Sequence, residues 1–83
     1  MKIEIITYKE KLYEAQAKEV VLPGEYEEFS VLDFHQPFLY RLKKGYIRVL
    51  EKTGEGGKNH RSFLINDGIA RMLGNTLTVL AQD

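Results

Sequence analysis

The sequence contains no cysteine, only two prolines, and no surplus of charge of either sign. Without cysteine there is neither a disulfide framework nor a thiolate metal site. Lys+Arg and Asp+Glu each number 12, so the formal net charge is zero. A nucleic-acid binder draws much of its affinity from neutralising phosphates and normally carries a basic excess, which is missing here. No apolar run approaches the roughly 20 residues that span a bilayer. The opening Met1-Lys2-Ile3-Glu4 also lacks the apolar core of a secretory signal. A cytosolic or cytosol-facing location fits these absences.

What is present is globular composition: 43% hydrophobic and 29% charged residues over 83 positions, enough for one domain, residues 1–83. A chain of this length buries only about 60% of the surface its unfolded form exposes, so a permanent partner adds useful stability. Zero net charge removes self-repulsion and suits a subunit that associates.

The hydrophobic pattern has a period of two. Ile3 and Ile5 alternate with Glu4 and Ile6, and Leu77, Val79 and Ala81 share a face opposite Thr76, Thr78 and Leu80. Tyr46 to Val49 and Phe63 to Ile65 are short β-branched or aromatic runs. Such runs between turn residues predict strands. Lys9 to Lys18 is the best helical candidate, but its apolar residues are few, and it reads as an extended arm leading into Glu19 to Leu22. Pro23-Gly24 stops that run, Gly45 precedes Tyr46, and Gly54, Gly56 and Gly57 make a hairpin loop. Asp67-Gly68 is read as a bend, and Gly74-Asn75 as a hairpin turn, because both of the latter residues tolerate positive φ. Glu25 to Phe34 has no clean strand pattern. The expected fold class is all-β: a flattened sandwich or barrel of about ten short, mostly antiparallel strands.

No constellation points to catalysis. Gly54-Glu55-Gly56-Gly57-Lys58 lacks the first glycine and the Ser/Thr of a phosphate-binding loop, with Lys52 and Asn59 at those positions. His35 and His60 have no partner at metal-ligand spacing. No cofactor and no metal are expected. Phe29, Phe34 and Phe38 lie in or beside an acidic stretch holding Glu25, Glu27, Glu28 and Asp33. A buried phenylalanine is worth roughly 1.5–3 kcal/mol, so these rings either fill the sandwich or form a protein-binding patch. Arg41, Lys43, Lys44 and Arg48 lie near Tyr40 and Tyr46, a combination that stacks single-stranded nucleic acid in other proteins. A free-standing small barrel that binds such a strand, or another protein, is the alternative reading. Zero net charge favours a solvated charged face instead.

Val20-Val21-Leu22-Pro23-Gly24, then Val31-Leu32, then His35-Gln36-Pro37 resemble the signature of epsilon subunits of F-type ATP synthases. The resemblance runs the length of the chain. Ile3 to Thr7 is similar to the opening strand, Leu12-Tyr13-Glu14 to the second element, and Leu42 with Gly45 to a conserved turn. Asp67-Gly68-Ile69-Ala70 is similar to a later hairpin, and Thr78-Val79-Leu80-Ala81 to the closing strand. The sequence departs from the family where loop glycines become Glu27 and Ser30 and prolines become Tyr8, Asp33 and Lys44. Losing glycine where φ is positive remodels a loop.

The resemblance implies a ten-stranded flattened sandwich at the foot of a central stalk, between the gamma subunit and the c-ring. It implies a non-catalytic rotor part that couples proton transport to ATP synthesis. Its implied place is the cytoplasmic face of the bacterial inner or plasma membrane, held peripherally without insertion. Relatives carry a C-terminal helical hairpin, and a chain ending at Asp83 is expected to lack it. The ring's polar loops carry arginine in this family, so the implied ring and stalk interface is Glu27, Glu28, Asp33 and His35, with Glu28 as the ring-facing acid.

Overall fold

The period-two pattern is realised as eight β-strands in a computed structural model that describes residues 1–53 and 59–82. They are β1 (Lys2–Ile6), β2 (Lys11–Pro23), β3 (Glu28–Leu32), β4 (Phe38–Leu42), β5 (Gly45–Glu51), β6 (Asn59–Ile65), β7 (Asp67–Leu73) and β8 (Thr76–Gln82). No helix occurs among the described residues.

One hydrogen-bonded path, β4-β7-β8-β1-β2-β5-β6 with β3 on the free side of β2, folds over into two layers. The layers share β2, which has 13 residues, about twice the usual strand length of 5–6. Its first half pairs with β1, from Lys11 against Ile6 to Gln16 against Lys2. Its second half pairs with β5 on one edge and β3 on the other. The register shifts between Ala17 and Glu19, leaving Lys18 as the extra residue. A bulge bends a strand and increases its twist, and this one lies where β2 passes from one layer to the other. All pairings are antiparallel except β1 with β8.

The inward residues are those the alternation picks out. Ile3, Ile5, Ala70, Met72, Leu77 and Val79 from the first layer meet Val20, Leu22, Val31, Ile47 and Val49 from the second, and all are at most 1% exposed. Tyr13, Phe29, Phe38 and Phe63 pack half-buried against this core.

The turns follow local chemistry. Thr7 closes the β1–β2 connection by accepting, at Oγ1, from the backbone N–H of Lys9 (3.2 Å) and Glu10 (3.3 Å). Gly74 and Asn75 both have φ of +58°, and Leu73 pairs with Thr76, so the β7–β8 hairpin is a two-residue turn with both central residues left-handed.

Three expectations change. The described strands number eight and not about ten, and the arm and the run to Leu22 form one long strand serving both layers. Asp67-Gly68 does not turn the chain. It opens β7 against Gln82 and Ala81, and the corner is Asn66 alone. The stretch Glu25 to Phe34, read as strandless, contains β3. The hairpin loop placed at residues 54–58, with its rejected phosphate-loop reading, lies outside the described residues.

Candidate interaction surface

The four residues expected at the ring and stalk interface lie at the two ends of β3. β3 separates them: Glu27 and Glu28 stand at its start, Asp33 and His35 just beyond its end. Five residues of extended chain between Glu28 and Asp33 correspond to roughly 16 Å.

At the Glu28 end the loop is stitched down on both sides. The Glu25 N–H donates to the Arg41 carbonyl (3.0 Å) and the Lys43 N–H to the Pro23 carbonyl (2.9 Å). Gly24 bridges to Leu42. A methyl group on Gly24 would stand 2.4 Å from the Glu27 carbonyl oxygen and 3.0 Å from two atoms of the Phe29 ring, so only glycine lets the loop close this tightly. Glu28 accepts a 2.6 Å hydrogen bond from Arg48 Nη2, and more than half of each side chain is exposed. Among the described residues Glu25 and Glu27 have no ion-pair partner, and Tyr26 between them is exposed.

At the other end Asp33 is held from two sides. One carboxylate oxygen accepts from the Met1 ammonium and the other from Lys52 Nζ at 2.8 Å. Lys52 first, and then the ammonium, hold its carboxyl below the usual aspartate range, while Asp33 raises the Lys52 ammonium in return. The Met1 ammonium also donates to the Ala17 carbonyl at 3.1 Å. Asp33 is therefore a compensated group that ties the loop to β1 and β5.

Phe34 follows with φ of +61°, a conformation costing a non-glycine residue about 1–2 kcal/mol. Its N–H donates to Asn75 Oδ1 at 2.7 Å, so the turn between β7 and β8 holds this backbone in place. Phe34 is 81% exposed. His35 is exposed too, with Nδ1 2.9 Å from the Gln36 carbonyl and its ring edge-on to Phe38 at 5.2 Å. Phe38 meets Phe29 at 5.7 Å, and Phe29 meets Tyr40 at 4.8 Å. This ladder of rings spans from β3 to β4, the free edges of the two layers, and supports the loop from within. Of the three phenylalanines left open by the sequence, Phe29 and Phe38 thus pack against the core and Phe34 faces solvent.

Two features escaped sequence reasoning. Tyr13 donates to Glu51, which also accepts from Asn59 and lies 3.7 Å from Arg61 Nε. Burial, then the Glu51 hydrogen bond, push the Tyr13 phenol far above its ordinary value. The second is an open groove of about 450 Å³ on the outer face of the first layer. Ile6, Tyr8, Ile69 and Leu80 line it, with Arg41 and Asp67 3.5 Å apart at its rim. Cross-strand register alone assembles it, since Ile6 pairs with Leu80 and Leu80 with Ile69. Of the two tyrosines of the basic stretch, Tyr46 is exposed and Tyr40 is partly buried. Arg41 and Arg48 each make an ion pair, and Tyr40 leans on Phe29. Among the described residues no group of three or more His, Asp or Glu side chains is placed to hold a metal ion, and no helix is long and apolar enough to cross a membrane.

The family model described as the ATP synthase delta/epsilon chain, beta-sandwich domain, matches residues 1–83. Among solved structures, a chain of the central stalk and c-ring of Tetrahymena thermophila mitochondrial ATP synthase superposes with a TM-score of 0.78 at 14% identity. That match covers 100% of this chain and 63% of the other. A chain of Euglena gracilis mitochondrial ATP synthase, in a structure of its OSCP, F1 and c-ring, gives a TM-score of 0.79 at 19% identity, over 98% of this chain and 49% of the other. At these identities the likeness is one of fold, and the chain spans about half to two thirds of those it matches.

Proposed function

Because the chain belongs to the ATP synthase delta/epsilon chain β-sandwich family, we propose that it is a central-stalk rotor part joining the gamma subunit to the c-ring. In this role it does no chemistry. It transmits rotation between the ring and the shaft, peripheral to the membrane that holds the ring and, in a bacterial cell, on the cytoplasmic face. A two-layer sandwich suits the task because packed interiors deform little under load.

The observation that carries the ring contact is the Glu25 to Glu28 end: carboxylates on a loop stitched to Arg41 and Lys43, two of them without an ion-pair partner among the described residues. Such a loop presents fixed negative charge to arginine-bearing ring loops. Charge-assisted pairs of this kind set register and partner choice more than raw affinity. Glu27 and Glu28 take this role. Asp33 and His35, at the far end of β3, shape the loop that faces the other way.

The test is the double reversal Glu27→Lys with Glu28→Lys. The Arg48 pair it removes is an exposed one, worth about 0–1 kcal/mol, so the fold survives. Binding to purified c-ring, followed by co-sedimentation at low and moderate salt, should fall about tenfold or more and lose its salt dependence. A double variant that binds the ring like the parent removes this acid end from the interface.

A further inference from the structure

We propose that Phe34 is an anchor side chain by which the loop at the far end of β3 docks into an apolar pocket of the shaft protein, the gamma subunit. The inference rests on the stalk reading and adds to it a residue and a contact chemistry.

The backbone supplies the first argument. Phe34 sits at φ +61°, where a bulky side chain is an outlier and glycine or asparagine fits without penalty. Such conformations persist only where the surroundings impose them, and here Asn75 does so from another turn. Inside the chain the ring returns little for that strain, since the residue is 81% exposed and, among the described residues, makes no ring contact of the kind that joins His35, Phe38, Phe29 and Tyr40. A costly backbone that projects an idle aromatic ring into solvent is the arrangement of a pre-positioned anchor.

The charge pattern supplies the second. The nearest acid, Asp33, is compensated by the Met1 ammonium and Lys52, so this end offers no unpaired carboxylate to a cationic partner. Exposed apolar side chains accompany Phe34 there: Leu32 two residues before it, and Leu73 two residues before Asn75. The end is therefore suited to an apolar pocket, while the Glu25 to Glu28 end, roughly 16 Å away along the strand, is suited to a basic loop. A rotor part held between two partners needs two such unlike ends.

The experiment measures the affinity of the 83-residue chain for purified gamma subunit by titration calorimetry, alongside thermal unfolding. Phe34→Gly relieves the backbone and deletes the ring. It should unfold no earlier than the parent yet bind gamma about tenfold or more weakly, and Phe34→Trp should bind within about threefold of the parent. A Phe34→Gly variant that binds gamma like the parent overturns the anchor while leaving the stalk role in place. One that unfolds several degrees earlier overturns it differently, by showing that the ring serves its own fold. A parent chain that ignores gamma altogether removes the stalk role and the anchor together.

Discussion

Replacing Gly24 by alanine tests how the acidic end is held. The added methyl would lie 2.4 Å from the Glu27 carbonyl oxygen, whereas ordinary contact begins at 3.4 Å, so backbone or methyl must yield by about 1 Å. The obstructing atom belongs to the main chain, which cannot rotate away as a side-chain tip can. The second obstruction, the Phe29 ring at 3.0 Å, is wedged between Phe38 and Tyr40. Forced overpacking of this kind costs about 1–3 kcal/mol. A domain of this length has roughly 4–12 kcal/mol of stability in all. At about 4–8 °C per kcal/mol, a 2 kcal/mol cost lowers the unfolding midpoint by roughly 8–16 °C.

Gly74 is the control, because it is needed for a different reason. Its φ is +58° and a methyl there would meet nothing within 4 Å. Gly74→Ala should cost about 1 kcal/mol through the backbone alone, and Gly74→Asn should recover most of it, since asparagine tolerates the left-handed region. At Gly24 the order reverses, and asparagine, being larger, does worse than alanine. Thermal unfolding followed by far-UV circular dichroism ranks the four variants. A Gly24→Ala midpoint within about 2 °C of the parent, or the same Ala–Asn order at both sites, would refute the crowding argument.

Two further outcomes concern protons. Tyr13 has its phenol raised by burial and by Glu51, so its stabilising contribution is full below the unfolded tyrosine value of about 10 and is lost as pH climbs beyond it. Tyr13→Phe should cost about 1 kcal/mol at neutral pH and weaken the alkaline fall in stability, measured by urea unfolding between pH 7 and 11. Asp33 has its carboxyl lowered by Lys52 and the Met1 ammonium, so its contribution is present above about pH 4 and is lost as pH drops further. Asp33→Asn should lower the urea midpoint at pH 7, and the gap to the parent should close toward pH 2. A gap that stays constant across that range would mean that Asp33 acts by packing and not by charge.

The parts legible in the sequence are those with local causes. Ile3 with Ile5, and Leu77 with Val79 and Ala81, announced their strands because a residue's parity decides its face, and the two positive-φ residues Gly74 and Asn75 announced their hairpin. β3 was hidden by its exposed Leu32, which breaks the alternation of Phe29 and Val31 with Glu28 and Ser30. The acid site was legible as composition and not as geometry. The Glu28–Arg48 pair joins residues 20 apart in the chain, and it depends on how β2 aligns β3 with β5. That alignment includes the bulge at Lys18, a residue with no local feature to mark it. The strain at Phe34 was equally unreadable, since it is imposed by Asn75 from 41 residues away.

The same long-range ties explain why the two ends can act as one part. β2 belongs to both layers, so one layer cannot slide on the other without breaking hydrogen bonds along a single 13-residue strand. Beside the second half of that strand, where β3 pairs with it, the rings of Phe38, Phe29 and Tyr40 bridge the free edges. A force applied at the Glu25 to Glu28 loop therefore enters β3 and β4 together through Gly24, Leu42 and Arg41. At the other end it leaves through Asp33, Asn75 and the start of β1. Weakening the ladder by Phe29→Leu should leave each end's own contacts in place but loosen β3 against β4, because only the backbone bonds of Gly24, Glu25 and Lys43 would then tie that side, and amide exchange should quicken in β3 and β4 more than in β1.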